Sequence, residues 1–171
     1  MARAMRDLAR LLGAALAREG AVERLRPLRA ALRATTLGEP AAHVDLVIGR
    51  IEALAGDDGY GARMLKLTAL AHELRPSSAA HALERCGVEP AAARTVGRLV
   101  QSFWAADLWR GTPGAGPEGW LRRAGPDARL LLLFEVAHEG GVTPAMAAAA
   151  ETAGLGDALD SWNDRLSPAS D

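Results

Sequence analysis

Four histidines carry most of the chemistry open to this chain: His43, His72, His81 and His138. His72 is followed at once by Glu73 in "LTALAHELRP", and His138 by Glu139 in "LLLLFEVAHEG". A metal hydrolase needs neutral imidazoles and carboxylates converging from separate helices on one cavity, with a coordination position left open for water. His43, His72, Glu73 and His138 form the candidate metal set, with Glu73 also the candidate catalytic carboxylate, ligating the ion or orienting water. The opposing reading gives each histidine a local task, because a histidine near a helix end can bond a backbone carbonyl or interact with the helix dipole. Other common centres lack their residues. There is no GxxxxGK[ST], no GxGxxG after a strand, no HExxH and no GxSxG. A single cysteine, Cys86, excludes paired-cysteine zinc sites and an internal disulfide, which places the chain in a reducing cytoplasm.

The elements that must position these residues are helices. Of 171 residues, 49% are hydrophobic and only 4% aromatic; Ala and Leu dominate, and their side chains lose little rotamer freedom in a helix. The length suits one core and one compact unit, divided into a basic helical pair over residues 1–38 and the main helical domain over 39–171. The opening "MARAMRDLARLLGAALAREG" looks like a targeting segment. Asp7 and Arg10 interrupt it, however, and Leu8, Leu11, Leu12, Ala15 and Leu16 recur at helical spacing, so an amphipathic helix is the expectation. No later run is long and uncharged enough to span a bilayer.

The next helix begins near Glu39-Pro40 and should turn His43, Val47, Ile51 and Leu54 inward. From Tyr60 another brings Met64, Leu65, Leu67, Leu70 and Ala71 inward and ends at Arg75-Pro76, with His72-Glu73 in its last turn. "SSAAHALERCG" reads as a short helix with a serine cap and Gly87 at its end, followed by the longer "EPAAARTVGRLVQSFWAADLW". "RGTPGAGPEG" is a loop. Beyond it lie "PDARLLLLFEVAHEG", "TPAMAAAAETAGL" and "DALDSWNDRL". The run Leu130 to Phe134 is apolar all round, which predicts a helix at the centre of the fold.

The order of His43, then His72-Glu73 at the end of the next long helix, then a later residue on a central apolar helix resembles the HD superfamily, with its pattern H…HD…D. The resemblance is closest to the HD region of bacterial CCA-adding and poly(A) polymerase-type proteins, over about residues 40 to 140. Family text like "AALLHDLGKP", "LERL", "V..LV..H" and "LLLL..AD" is met by "LTALAHELRP", "AHALERCGVEPAAARTVGRLVQSFW" and "LLLLFEVAHEG". This implies an all-α, HD-like bundle of about seven to nine helices and a phosphohydrolase centre holding one or two divalent metals. The departures fall on that centre: Glu73 for the Asp of HD, Leu74-Arg75 for Gly-Lys, Phe103-Trp104 near an expected His, and His138 at the distal Asp position. The polymerase head's Gly-Ser loop and paired Asp motif are missing, so the chain is no complete CCA-adding enzyme. It is read as a fragment or a stand-alone descendant of the HD half.

Three functions follow. The leading one is a divergent HD-like module, non-catalytic or weakly catalytic, that binds RNA, a nucleotide or a protein partner. The second is a metal-dependent phosphohydrolase, in which the altered His/Glu set holds manganese, iron, zinc or magnesium and Arg63 or Arg75 draws in the substrate phosphate. The third is a helical interaction protein with no ligand. Residues 1 to 38 carry eight Arg against Asp7, Glu19 and Glu23, a net +5 that leaves −6 for the remainder of a chain of net charge −1. A nucleic-acid backbone or an acidic partner would suit such a face, as would the acidic remainder of the same fold. Trp104 and Trp109 could stack on bases or a partner, with Phe103 and Trp120 near them; filling of the core is the competing role.

Overall fold

The computed structural model describes residues 41–55, 59–72, 74–110, 119–120 and 124–166, with backbone alone at 41–42 and 107–110. The expected basic pair over 1–38, together with Glu73 and the side chain of Trp109, lies outside them. The described residues form an all-α bundle of seven helices without strands. These are α1 (Ala41–Ala55), α2 (Gly59–Ala71), α3 (Pro76–Arg85), α4 (Pro90–Arg110), α5 (Ala128–Glu139), α6 (Pro144–Thr152) and α7 (Gly156–Leu166), with a 3-10 turn at Gly125–Asp127 before α5. None of them is long and apolar enough to cross a membrane.

The inward faces follow the helical period. Val47, Ile51 and Leu54 of α1 and Met64, Leu65, Leu67, Leu70 and Ala71 of α2 are all buried. On α5 burial runs without a break from Leu131 to Ala137, through the apolar Leu131–Phe134 and on across Glu135, and α5 packs against α1, α2, α4, α6 and α7. Cys86 is a buried core residue, as its size suggests, and burial in an apolar setting pushes its thiol pKa up. Lys66 of α2 is 4% exposed and meets Glu52 of α1 at 2.9 Å, so the α1–α2 seam carries one largely desolvated ion pair within its apolar contacts.

Helix ends show where local chemistry acted otherwise than its residue types suggest. α2 stops at Ala71 and His72 lies in the turn beyond it, short of the expected end at Arg75; Arg75 itself is extended before Pro76 (φ −55°, ψ 131°), which separates α2 from α3. α3 begins on Pro76, so the serine cap expected there is not formed; the Ser78 hydroxyl donates to the Arg75 carbonyl instead. Gly87, at φ 85°, ends that helix as expected. Glu89 caps α4: its carboxylate oxygens accept from the Ala91 and Ala92 N–H groups at 3.0 and 3.1 Å. α3 and α4 form the most extensive helix pair among the described residues, and Gly97 allows it, since a Cβ there would stand 2.9 Å from the Ala80 Cβ.

Candidate metal centre

Three helices deliver one histidine each to the same spot. His43 lies in the first turn of α1, His72 just past the end of α2, and His138 in the last turn of α5. Since α1 and α2 run through the core beside α5, the start of α1 and the ends of α2 and α5 meet at one end of the bundle. One ring nitrogen from each histidine lies within 4.8 Å of the other two. The ring centroids are 4.9 Å apart for His43 and His138, 5.4 Å for His72 and His138, and 5.8 Å for His43 and His72. His72 is 2% exposed, while His43 and His138 are part-buried, so the cluster sits at the edge of the core.

The surroundings fix the rings. The Nδ1 of His72 lies 2.7 Å from the Ala69 carbonyl, which can only accept, so the proton resides on Nδ1 and the lone pair on the buried Nε2. The local task and the metal-ligating task are therefore compatible in one residue: the helix-end hydrogen bond sets the tautomer in which the other nitrogen can ligate. Trp104 donates its indole N–H to the His72 carbonyl at 2.7 Å, holding the turn in place. Arg50, two helical turns along α1 from His43, donates from Nη1 to the carbonyls of Ala137 and His138, both at 3.1 Å, and so ties the end of α5 to α1. Gly140 follows at φ 78°, and a Cβ there would collide with the Arg50 guanidinium. Glu139 lies 3.5 Å from His138 Nδ1, a distance longer than a good hydrogen bond.

An aromatic wall closes the inner side. Phe103 of α4 packs edge-on against His138 (4.9 Å between centroids) and His72 (5.7 Å), and Phe134 of α5 against Phe103 (5.2 Å) and His72 (5.9 Å). The sequence marked position 103 as a departure from an expected histidine and as one of an aromatic group that could stack or fill the core; Phe103 is buried, and its place at the cluster comes from the register of α4 against α2, which no local pattern reports.

The donor set suits a transition ion. Tetrahedral coordination at a metal–nitrogen distance of about 2.1 Å puts ligand nitrogens roughly 3.4 Å apart, so rotations and small shifts of the rings would bring these three to bonding distance. Three neutral nitrogens match zinc, iron or other borderline-soft ions better than magnesium, which prefers oxygen ligands. Of the other expected site residues, Arg63 stands apart from the cluster. It lies nine residues before His72, roughly 14 Å along the helix, where its charge acts on Glu89. Arg75 is exposed. Trp104 is 41% exposed, which removes it from core filling. His81, on α3, is exposed and takes no part.

Compared with protein-family models, with curated proteins and with solved structures, the chain matches none.

Proposed function

We propose that His43, His72 and His138 hold one divalent transition-metal ion and that the domain is an HD-like metal-dependent phosphohydrolase. The observation that carries this reading is the convergence of the three ring nitrogens within 4.8 Å from three helices that are 29 and 66 residues apart along the chain at those positions. Packing alone rarely gathers three imidazoles, since each is a polar group whose burial is unfavourable without a partner. A bound divalent ion would supply Lewis-acid polarisation of a phosphoryl oxygen and acidification of water. The protein's own part is to hold three nitrogens in one tautomeric arrangement, through the Ala69 carbonyl for His72 and the Arg50 clasp for the end of α5, and to keep water off the inner face with Phe103 and Phe134.

A second reading rests on that same wall. With Phe103 against two of the three imidazoles, the metal would be a structural staple in a module that binds RNA, a nucleotide or a protein, and no substrate would reach it.

Metal content decides the first question. Protein purified without a histidine tag or chelator should carry close to one equivalent of metal by elemental analysis, or take it up from zinc, iron or manganese. His43→Ala and His72→Ala should lose it. At metal a hundredfold above its dissociation constant the wild type should gain about 2.7 kcal/mol, some 5–10 °C in Tm for a domain of this size, and the variants none. Absence of metal after reconstitution would overturn both readings. Hydrolysis of bis-p-nitrophenyl phosphate or p-nitrophenyl phosphate by the loaded wild type, lost in His72→Ala, separates the enzyme from the stapled module.

A further inference from the structure

The opposite end of the bundle holds a second site, independent of the histidines. A cavity of about 210 Å³ opens where the end of α1, the start of α2, the start of α5 and α7 come together. Along α1, α2 and α5 the histidine lies toward one end and the cavity-lining residues toward the other, separated by roughly 8–18 Å along the helix axes. The floor is apolar: Leu54, Leu65, Leu133 and the indole of Trp162, all buried.

The rim is cationic. Arg129 lies over the Trp162 ring, 5.8 Å from guanidinium carbon to centroid. Arg165 reaches the Leu54 carbonyl with one Nη1–H at 2.9 Å, which leaves its remaining N–H groups for another acceptor. Neither arginine forms an ion pair with a carboxylate among the described residues. Ser161 adds a hydroxyl to the same lining. The first turns of α2 and α5 line the cavity with the positive ends of their dipoles, opposite the end of α1, where the Leu54 carbonyl accepts from Arg165. Two guanidiniums, a hydroxyl and two helix starts around an apolar floor make a receptor for a small amphiphilic anion. A cavity of about 150 Å³ takes benzene, so about 210 Å³ has room for one ring and its charged group.

We infer that this cavity binds a small planar anion, an aryl carboxylate or aryl phosphate, with its ring against the apolar floor of Leu54, Leu65 and Leu133 and its anionic group between Arg129 and Arg165. Guanidinium groups pair with carboxylate and phosphate oxygens in matching planar geometry, and the stacked Arg129 is held ready for that role by the indole beneath it.

The test is a titration of the full chain with benzoate and with phenyl phosphate, followed by calorimetry and by NMR shifts of the Trp162 indole. Benzamide and benzyl alcohol serve as neutral counterparts. Saturable binding of either anion below about 1 mM is expected, weakened roughly tenfold by Arg129→Gln and by Arg165→Gln, as loss of one charge-assisted hydrogen bond implies. Ser161→Phe, a substitution at an exposed position that fills the cavity, should abolish it without unfolding the chain. Binding should persist in His72→Ala, which separates this site from the metal centre. No binding by either anion up to 10 times that concentration, equal binding of the neutral compounds, or affinity unchanged in both arginine variants would each overturn the inference.

Discussion

A single carboxylate shows how residue-scale chemistry registers in stability. Glu89 accepts two N–H bonds at the start of α4, and these bonds, with help from Arg94 and Arg63, hold its pKa below the ordinary carboxylate value. Its charged form is favoured by folding. The contribution is therefore complete above the pKa of the unfolded chain and disappears as pH falls through the lower folded value. Wild type should melt above Glu89→Gln at neutral pH, and the two curves should converge as pH falls through and below the ordinary carboxylate range; parallel curves of Tm against pH would show that the cap carries no charge-dependent part. The histidines were legible at this scale for a related reason. Their types and order along the chain marked His43, His72 and His138 as a set, and the fold brings those three together. What the sequence could not reveal is their support: Arg50 meets the His138 carbonyl across 88 residues, and hydrophobic period says which face is inward but not which neighbour it meets. Arg63, chosen for its charge and nearness in the chain, stands roughly 14 Å along α2 from His72 for the same reason.

Among the elements, the α3–α4 pair rests on one missing side chain. Alanine is the better helix former by about 1 kcal/mol, so Gly97→Ala would stabilise an isolated α4. In the bundle its Cβ would stand 2.9 Å from the Ala80 Cβ, which has no flexible end to give way. A net loss of about 1–3 kcal/mol is expected from urea denaturation, and Ala80→Gly in the same chain should recover part of it. If Gly97→Ala proves stabilising, the helices tolerate a wider spacing than the one described. Element identity was readable from composition and period, α5 above all, whose unbroken apolar run marked it as central. Element ends were less so: α2 was expected to reach Arg75 and stops at Ala71, the last residue of its inward pattern, with Arg75 extended before Pro76.

The whole molecule is organised along the axes of α1, α2 and α5, with the imidazole cluster at one end and the arginine-rimmed cavity at the other. Ligands at the two ends would meet through the same three helices, each stabilising their docking. The Arg50 clasp has a consequence in time as well as in space. It joins residues 87 and 88 positions apart, so neither it nor the imidazole cluster can exist until the long loop between α1 and α5 has closed. Contacts of such long loop closure are expected late on the folding route, after the local α1–α2 and α3–α4 hairpins. Arg50→Met should then leave the refolding rate in stopped-flow experiments almost unchanged and speed unfolding by about tenfold or more, as loss of charge-assisted bonds absent from the transition state requires. A slowed refolding arm would instead place the α1–α5 contact in the nucleus. With the clasp formed late, an ion held by the three histidines would be captured among the last events in the life of a newly made chain, and its loss would be an early sign that the bundle is about to open.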